Sequence, residues 1–459
     1  MTDLHDRLHR TVKMALDTGE ARSLDEAERT FRSYRLVLVL GPEVATSPTL
    51  QAAVLTAANT ASRAFLGGVT VTGVTEVDLL VPWSSPATTL LEAITELGGT
   101  GAGSVPDGIP TVCFGTPPFT LPSTRVRLQV TFEGWSGGVI PVGSDRLAET
   151  TENVVSGVLS GALAVSEAFQ HVRGYPVAGR RAVGLSLWEP GRDWQDPVTS
   201  PGLDWLPARL WLLGLGHLGQ AALWVLGLLP YADPSEVHLV LQDDDVLSEA
   251  NLSTSPLTFP NLVGLKKARA MASWCEARGF SVVLTERRFS ADLHRTADEP
   301  GLLICGVDNA EARAAIEETG FDRVIEAGLG IGAQEYLAFQ VHAFPGPLGA
   351  RDRWGAAAPA VLTESASLPE AYRALEGEDL DACGLVTLAG RAVGASFVGA
   401  TVACFVVTQA IRMTRGDAYH GIIDGTLRSP SDIDAGDPIQ LADPVNVGYA
   451  LGVPELQPL

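Results

Sequence analysis

The sequence of 459 residues predicts an α/β protein built from two related halves, each with a mostly parallel sheet flanked by helices. Three observations support this fold class. In the second half, apolar strand-like runs alternate with helix-like segments, as in parallel sheets with crossover helices. One of these runs, residues 209–213, passes through a glycine turn at Gly214, Gly216 and Gly219 into a helix-like segment. The first half repeats the order of the second faintly.

The elements of the second half follow one another in a regular order. Each predicted strand is a short apolar run, and a helix-like segment or a turn separates it from the next. This order implies βαβ units. Strands are predicted at 208–216, 236–245, 280–286, 301–309 and 323–332, and helices after the glycine turn and at 264–279 and 310–319.

The first half matches the second at four places in the same order, but without its polar residues. Gly41 is followed by Pro-Glu-Val, so the glycine turn is lost, and Gly115-Thr-Pro-Pro stands where the second half has Gly306-Val-Asp-Asn. We therefore expect an inactive domain at 1–185, a linker at 186–207 and an active domain at 208–459. The matched positions are Gly41 with Gly214, Gly115 with Gly306, Gly134 and Gly138 with Gly328 and Gly332, and Gly157 and Glu167 with Gly399 and Gln409.

Composition excludes several classes of protein. Hydrophobic residues make up 46% of the chain and charged residues 19%, which is typical of a folded globular protein. The net charge of −22 argues against a nucleic acid or an anionic membrane as the main partner. The five cysteines include no C-x-x-C pair, which predicts reduced thiols, a cytoplasmic protein and no structural zinc site.

Two segments could be mistaken for membrane or targeting sequences. Residues 393–411 are apolar and long enough to span a membrane. Their Ser, Thr and Gln content and their late place in an α/β pattern favour a buried core helix instead. The N-terminal residues 1–23 carry charges throughout and lack the apolar core of a signal peptide.

A three-glycine turn alone is a weak signal, because phosphate groups of many nucleotides approach such turns at a helix N-terminus. Asp243 ends the next strand and could hold the ribose of NAD, so one hypothesis is that the protein is an oxidoreductase. The residues after Asp243 favour a different hypothesis, because carboxylates and a lysine converge on the strand ends. Lys267 and Asp308 suit a magnesium–triphosphate, and hydride transfer has no evident need for them.

The combined pattern resembles the ThiF/MoeB/ubiquitin-activating-enzyme superfamily over about a hundred residues of this chain. The family pairs Rossmann-like adenylation domains, and in the ubiquitin-activating branch one of two domains in a single chain is inactive. The resemblance implies that Asp243 binds the ATP ribose and that Asn251 and Lys267 bind the phosphates. It also implies that Asp308 binds Mg²⁺. The matching residues are Gly214, Gly216, Gly219, Asp243, Asp245, Asn251, Leu252, Gly264, Lys267, Asp308 and Asn309.

The implied reaction is ATP-dependent adenylation of the C-terminal carboxylate of a ubiquitin-like or sulfur-carrier protein that ends in Gly. The layout in a single chain points to bacterial ubiquitin-like conjugation pathways, including those of bacterial defence. One position departs from the family pattern, because Thr254 stands where an arginine usually contacts the triphosphate. Either Arg269, Lys266 or an arginine of the first half such as Arg22 replaces it, or adenylation is impaired and the chain is a non-catalytic scaffold.

A second step would transfer the acyl group to a thiol and then to a conjugating enzyme with a reactive Cys. Cys383 is the candidate, because it follows an irregular stretch within the crossover segment 345–390, where related enzymes carry their reactive Cys. The other four cysteines lie in predicted strands and helices and are expected to be small buried residues. His217 is expected to face solvent, and residues 4–32 to form an amphipathic helical segment.

Overall fold

The structure is a computed structural model and describes residues 4–122, 126–355, 370–373, 393–440 and 445–453. Two large sheets of seven and eight strands form its framework, one in each half of the chain. Helices pack on both sheets, so the predicted α/β class with mostly parallel sheets is confirmed.

The first sheet has the strand order β3-β2-β1-β4-β5-β6-β7. Its first five strands run parallel, and the last two are antiparallel to their neighbours. The strands are β1 (Leu36–Leu40), β2 (Val69–Gly73), β3 (Gly99–Gly101), β4 (Thr111–Phe114), β5 (Arg127–Glu133), β6 (Ser136–Pro141) and β7 (Val183–Ser186).

The second sheet repeats this order and adds one strand at its far edge: β11-β10-β9-β12-β13-β14-β16-β17. Its strands are β9 (Arg209–Leu213), β10 (His238–Gln242), β11 (Ser281–Thr285), β12 (Leu302–Cys305), β13 (Arg323–Leu329), β14 (Ala338–Phe344), β16 (Ile422–Thr426) and β17 (Asp434–Ala435). Two short pairs complete the strands, β8 (Trp205–Pro207) with β19 (Tyr449–Leu451) and β15 (Tyr419–His420) with β18 (Pro438–Ile439). The shared order explains the faint internal repeat of the sequence.

The register of the second sheet places three strand ends side by side. Leu213 of β9 pairs with Gln242 of β10 on one side and with Cys305 of β12 on the other. The residues that follow these strands, Gly214, Asp243 and Gly306, therefore meet at one edge of the sheet. Ligands of open α/β sheets bind at such a point, where the strand order reverses.

Helices of the two halves pack against each other in the interior. Within the first half, Gly157 lets two helices approach closely, because a Cβ there would lie 2.2 Å from the carbonyl oxygen of Thr49. The helices are α1 (Leu4–Arg7), α2 (Arg10–Asp17), α3 (Leu24–Arg32), α4 (Pro48–Ser62), α5 (Leu90–Glu96), α6 (Val154–Val172), α7 (His217–Leu228), α8 (Lys267–Glu276), α9 (Ala310–Ala315), α10 (Ala350–Trp354), α11 (Glu370–Arg373) and α12 (Ser396–Arg415). Short 3-10 helices lie at Pro42–Ala45, Pro234–Glu236, Glu249–Ser253, Pro260–Leu262, Ile316–Thr319 and Pro430–Asp432.

The apolar helix α12 crosses the interior between the halves and packs on α6 and α7. The rings of Phe397 on α12 and Phe169 on α6 lie 5.5 Å apart. In length and composition α12 could span a membrane, but 94% of its apolar window is buried within the protein. The sequence prediction of a buried core helix is confirmed for this segment.

The N-terminal segment forms three short helices where the sequence predicted one amphipathic stretch. Gly19 adopts a positive φ of 72° after α2, which ends that helix. Ser23 then caps α3 by accepting a hydrogen bond from the backbone N–H of Glu26. α2 turns towards the second half, where it contacts the 3-10 helix Glu249–Ser253.

Candidate nucleotide site

The glycine turn joins β9 to α7 and brings backbone N–H groups to the sheet edge. Gly214 has a φ of 83°, and a Cβ on it would lie 3.0 Å from Val307, so a side chain would be strained and crowded. A Cβ on Gly219 would lie 2.0 Å from the Gly214 carbonyl oxygen. Gly216 has open space around its missing Cβ and caps α7. The open side of the turn is therefore accessible to a phosphate at a helix N-terminus.

A carboxylate and a lysine meet beside this turn. Asp243 follows β10 and accepts hydrogen bonds from the N–H groups of Leu215, at 2.7 Å, and Asp245, at 2.8 Å. Lys267 begins α8, and its Nζ lies 2.8 Å from the Asp245 carboxylate and 3.9 Å from that of Asp243. Burial raises the pKa of Asp243, and the nearby ammonium of Lys267 opposes that shift.

The neighbouring lysine points to a different partner. Lys266 donates from its Nζ to the backbone carbonyl oxygen of Asp244 and has no carboxylate partner among the described residues. Lys266 is the N-cap of α8, with non-helical backbone angles, whereas Lys267 is the first residue of the helix. The structure therefore separates a lysine at the carboxylates from one on the loop backbone.

Asn251 lies in the 3-10 helix that follows β10. Its Oδ1 accepts hydrogen bonds from the backbone N–H and the hydroxyl of Ser248, at 2.9 and 3.2 Å, so its own side chain shapes the loop. The first half fixes the continuation of this loop. Arg63, the C-cap of α4, donates to the carbonyl oxygens of Leu252, Pro256 and Thr258 at 2.6, 2.9 and 3.1 Å.

Asp308 lies at the end of β12, on the other side of the glycine turn from Asp243. Its side chain is exposed and has no hydrogen bond or ion pair with any residue that the structure describes. Asn309 caps α9 by accepting hydrogen bonds from the backbone N–H groups of Glu311 and Ala312. The carboxylate of Asp308 is thus held at the sheet edge with its oxygens available.

A buried group of three polar side chains lies next to the end of β12. Glu326 of β13 is 1% exposed, and its carboxylate lies 3.0 Å from Arg313 Nε and 2.8 Å from His342 Nδ1. Arg313 also donates from Nε to the carbonyl oxygen of Val307, at 2.8 Å. This group therefore connects β13 to the residue immediately before Asp308. No motif in the sequence marked this pairing.

The residues offer oxygen ligands that fit Mg²⁺. Asp243, Asp244 and Asp245 bring ligand atoms within 4.8 Å of one another, and Asp308 has a carboxylate open to solvent. Mg²⁺ prefers carboxylate oxygens, waters and substrate phosphates. Two backbone N–H groups and Lys267 already occupy the carboxylate of Asp243. Asp308 is accordingly the better placed of these groups to contact the metal of a magnesium–triphosphate.

Thr254 is buried, with 7% of the residue exposed, at the position where the family usually has an arginine. Of the cations considered from sequence, Arg269 is occupied elsewhere. Arg269 makes an ion pair of 2.7 Å with Glu286. Arg22 precedes the N-cap of α3, and its backbone N–H donates to the carboxylate of Glu26.

Two arginines that the sequence did not single out lie against the Asn251 loop. The backbone N–H of Arg10, the first residue of α2, donates to the Ser253 hydroxyl at 3.0 Å. Arg7 Nε lies 3.8 Å from the carboxylate of Glu249. The sequence separation of 243 residues between Arg10 and Ser253 left no local signal for this contact.

The prediction that His217 faces solvent is wrong. Its Nε2 is buried, and a Cβ on Gly399 of α12 would lie only 2.3 Å from that atom. Burial lowers the pKa of His217 to about 4. The first turn of α7 is covered by the start of α12, which is distant in sequence, so local periodicity could not reveal this burial.

Four cysteines are buried thiols, as the sequence predicted. Burial raises the pKa of Cys113, Cys275 and Cys305 to about 12, and that of Cys404 well above its usual value. Such thiols are poor nucleophiles because little thiolate forms near neutral pH. Cys383 lies outside the described residues, as does most of the crossover segment.

Comparison with known proteins identifies the family to which the chain belongs. Models described as the BilD N-terminal domain and the BilD C-terminal domain match residues 35–187 and 206–417. A protein named Bacterial E1-like protein BilD, from Collimonas sp. (strain OK412), is 40% identical over 454 residues, which cover 98% of this chain and 97% of that protein.

Solved structures overlap with this chain only weakly. E. coli MccB with MccA-N7isoASN is 13% identical, has a TM-score of 0.35 and covers 70% of this chain and 98% of its own. E. coli tRNA N6-threonylcarbamoyladenosine dehydratase, TcdA, is 17% identical, with a TM-score of 0.30 and coverage of 45% and 85%. These overlaps are too slight to bear on function. The sequence matches are extensive, and the chain belongs to the BilD family of bacterial E1-like proteins.

Proposed function

We propose that this E1-like chain uses ATP and Mg²⁺ to adenylate the C-terminal carboxylate of a ubiquitin-like or sulfur-carrier protein that ends in Gly. The observation that carries the proposal is the arrangement at one edge of the second sheet. There the open glycine turn of Gly216 lies between the Asp243–Lys267 pair and the exposed carboxylate of Asp308.

The reaction forms one bond and breaks another at the α-phosphorus of ATP. A carboxylate oxygen of the partner's C-terminus attacks that phosphorus, and pyrophosphate leaves as the bond to the bridging oxygen breaks. A carboxylate needs no general base, so catalysis depends on positioning and on neutralising phosphate charge. Lys267 and the N–H groups of the glycine turn supply positive potential on the protein side. Bound through Asp308, Mg²⁺ would neutralise phosphate charge.

The two carboxylates that flank the glycine turn have different roles in this proposal. Asp243 is ordered by two backbone N–H groups and is largely buried, which suits a fixed contact to the ribose hydroxyls of ATP. Asp308 is exposed and without a protein partner in the described part of the chain, which suits a ligand that arrives with the triphosphate. Asn251 and Lys267 are assigned to the phosphates.

Arg10 is our candidate for the missing triphosphate arginine. It begins a helix of the first half that rests on Ser253, one residue before Thr254. The first half would then complete the site through Arg10 and brace its loop through Arg63. Substituting Arg10→Ala should slow adenylation by at least about tenfold, as for loss of an electrostatic contact to the transition state. Arg7→Ala, at a neighbouring arginine that also lies against the Asn251 loop, is the matched control.

Calorimetric titration with ATP–Mg²⁺ and with NAD distinguishes the adenylation proposal from the oxidoreductase hypothesis. The proposal expects saturable binding of ATP–Mg²⁺ to the wild-type chain, much weaker binding to Asp308→Ala, and no tight binding of NAD. Tight NAD binding without ATP–Mg²⁺ binding would establish the oxidoreductase class instead. A chain that binds ATP–Mg²⁺ and the small partner but never releases pyrophosphate would be a scaffold, which the buried Thr254 would then explain.

The second step of the proposal transfers the acyl group from AMP to Cys383. The thiolate attacks the acyl carbon, AMP leaves, and a thioester forms. The four buried cysteines are poor candidates for this attack, because burial disfavours their thiolates. A conjugating enzyme with its own reactive Cys would receive the acyl group next.

A further inference from the structure

A cavity of about 530 Å³ opens at the end of the first sheet where its central strands begin, in the half of the chain without the glycine turn. It is formed where β1, β4 and β5 begin and where α6 ends. Tyr34 and Arg35 precede β1, His171 lies in the last turn of α6, and Tyr175 and Arg180 follow that helix. The volume lies within the usual range for small-molecule sites.

The charge of this cavity is opposite to that of the protein. The chain carries a net charge of −22, yet the residues that line the cavity include two arginines and no Asp or Glu. Arg35 and Arg180 make no ion pair and no side-chain hydrogen bond with any other described residue. A concave surface with uncompensated positive charge concentrates anions.

Nearby carboxylates do not neutralise these two arginines because other arginines already hold them. Glu20 makes an ion pair of 2.6 Å with Arg173. Glu167 is buried and makes one of 2.7 Å with Arg181. Glu20 and Glu167 are therefore paired with other arginines, and Arg35 and Arg180 remain available to a ligand.

We infer that this cavity binds a small organic anion, with a carboxylate or phosphate group held by Arg35 and Arg180. Guanidinium groups form paired hydrogen bonds with both kinds of oxyanion. The tyrosine hydroxyls of Tyr34 and Tyr175 can add further hydrogen bonds. Apolar residues such as Val126 give the organic body of the ligand a surface to pack on. The site lies in the half without the glycine turn, so it is independent of the proposed adenylation.

Calorimetry with citrate and with glucose 6-phosphate tests this inference and separates the carboxylate source from the phosphate source. We expect saturable binding of at least one probe to the full-length chain. In the double variant Arg35→Ala/Arg180→Ala, that binding should weaken by at least about tenfold, because both charge-assisted contacts are lost. The control Arg192→Ala/Arg287→Ala removes the same charge from two exposed, ion-paired arginines elsewhere and should bind like the wild type.

Two results would overturn the inference. One is the absence of saturable binding for both probes, and the other is equal binding by the wild type and the Arg35→Ala/Arg180→Ala variant. Circular dichroism of the double variant should match that of the wild type, since both side chains are exposed. A folded variant that retains ATP–Mg²⁺ binding but loses the anion would show that the two sites are separate.

Discussion

Lys267 provides the sharpest test of the nucleotide site, because Lys266 beside it is a built-in control. The Nζ of Lys267 lies 2.8 Å from the Asp245 carboxylate and 3.9 Å from that of Asp243, and its side chain is 12% exposed. In Lys267→Ala the two carboxylates would face an incoming triphosphate without this cation. Among the described residues, the Nζ of Lys266 makes its hydrogen bond to the Asp244 carbonyl oxygen.

The expected loss follows from electrostatics at this distance. Two unit charges about 4 Å apart interact by about 4 kcal/mol at an effective dielectric constant of about 20. Removal of one preorganised contact to a developing charge costs about 10²–10³ in rate, or about 3–4 kcal/mol. We therefore expect Lys267→Ala to slow adenylation by about 10²–10³-fold, and Lys266→Ala by less than about fivefold, because its contact is to a neutral carbonyl.

The assay is single-turnover release of pyrophosphate at saturating ATP, with each small Gly-ending protein encoded beside this chain as the acceptor substrate. Circular dichroism and thermal unfolding of both variants exclude a folding defect as the cause of any loss. Equal losses in the two variants would refute the assignment of Lys267 to the phosphates. A loss confined to Lys266→Ala would show that the functional lysine is the other one.

Three further predictions concern the thiol, the buried imidazole and the contact between the halves. Cys383→Ala should abolish a thiol-sensitive covalent band with the small partner in non-reducing gels while preserving ATP–pyrophosphate exchange, and persistence of the band would assign the acceptor elsewhere. Burial lowers the pKa of His217 from 6.5 in the unfolded chain to about 4 in the folded protein, so protonation favours unfolding as the pH falls from 6.5 towards 4. Between pH 7.5 and 5.5, urea titrations should show that the wild type loses about 1 kcal/mol more unfolding free energy than His217→Asn. Equal losses in the two proteins would contradict the burial of His217. Arg63→Ala should lower the unfolding free energy by about 2 kcal/mol or more and weaken ATP–Mg²⁺ binding, because the carbonyl oxygens of Leu252 and Thr258 lose their donor and that of Pro256 keeps only Asn59. A loss below about 1 kcal/mol in the same titrations would contradict this role.

Much of the second half could be predicted because its signals are local. The strand at Arg209–Leu213 and the turn at Gly214 are contiguous in sequence, and parallel strands bring their carboxyl ends to one edge. The order of motifs along the chain therefore indicated which polar residues would lie near one another. The structure places Asp243 and Asp308 at that edge on opposite sides of the glycine turn.

The contacts between the halves could not be predicted in this way. Arg63 reaches Leu252 across 189 residues of sequence, and the carbonyl oxygens that it contacts carry no residue-specific signal. The burial of His217 under α12 has the same origin, because a helix periodicity does not show what covers the helix. One signal was local: Ser23-x-x-Glu26 is a capping pattern, and it marks the start of α3 within the N-terminal segment.

The measurement that tests the proposed adenylation most directly is ATP–pyrophosphate exchange, which reports reversible adenylation and requires no thiol. With a small Gly-ending partner encoded beside this chain, the wild type should exchange label between pyrophosphate and ATP in the presence of Mg²⁺. Asp308→Ala should lose this exchange, whereas Cys383→Ala should retain it. Absence of exchange by the wild type with every such partner, or full exchange by Asp308→Ala, would contradict adenylation at this site.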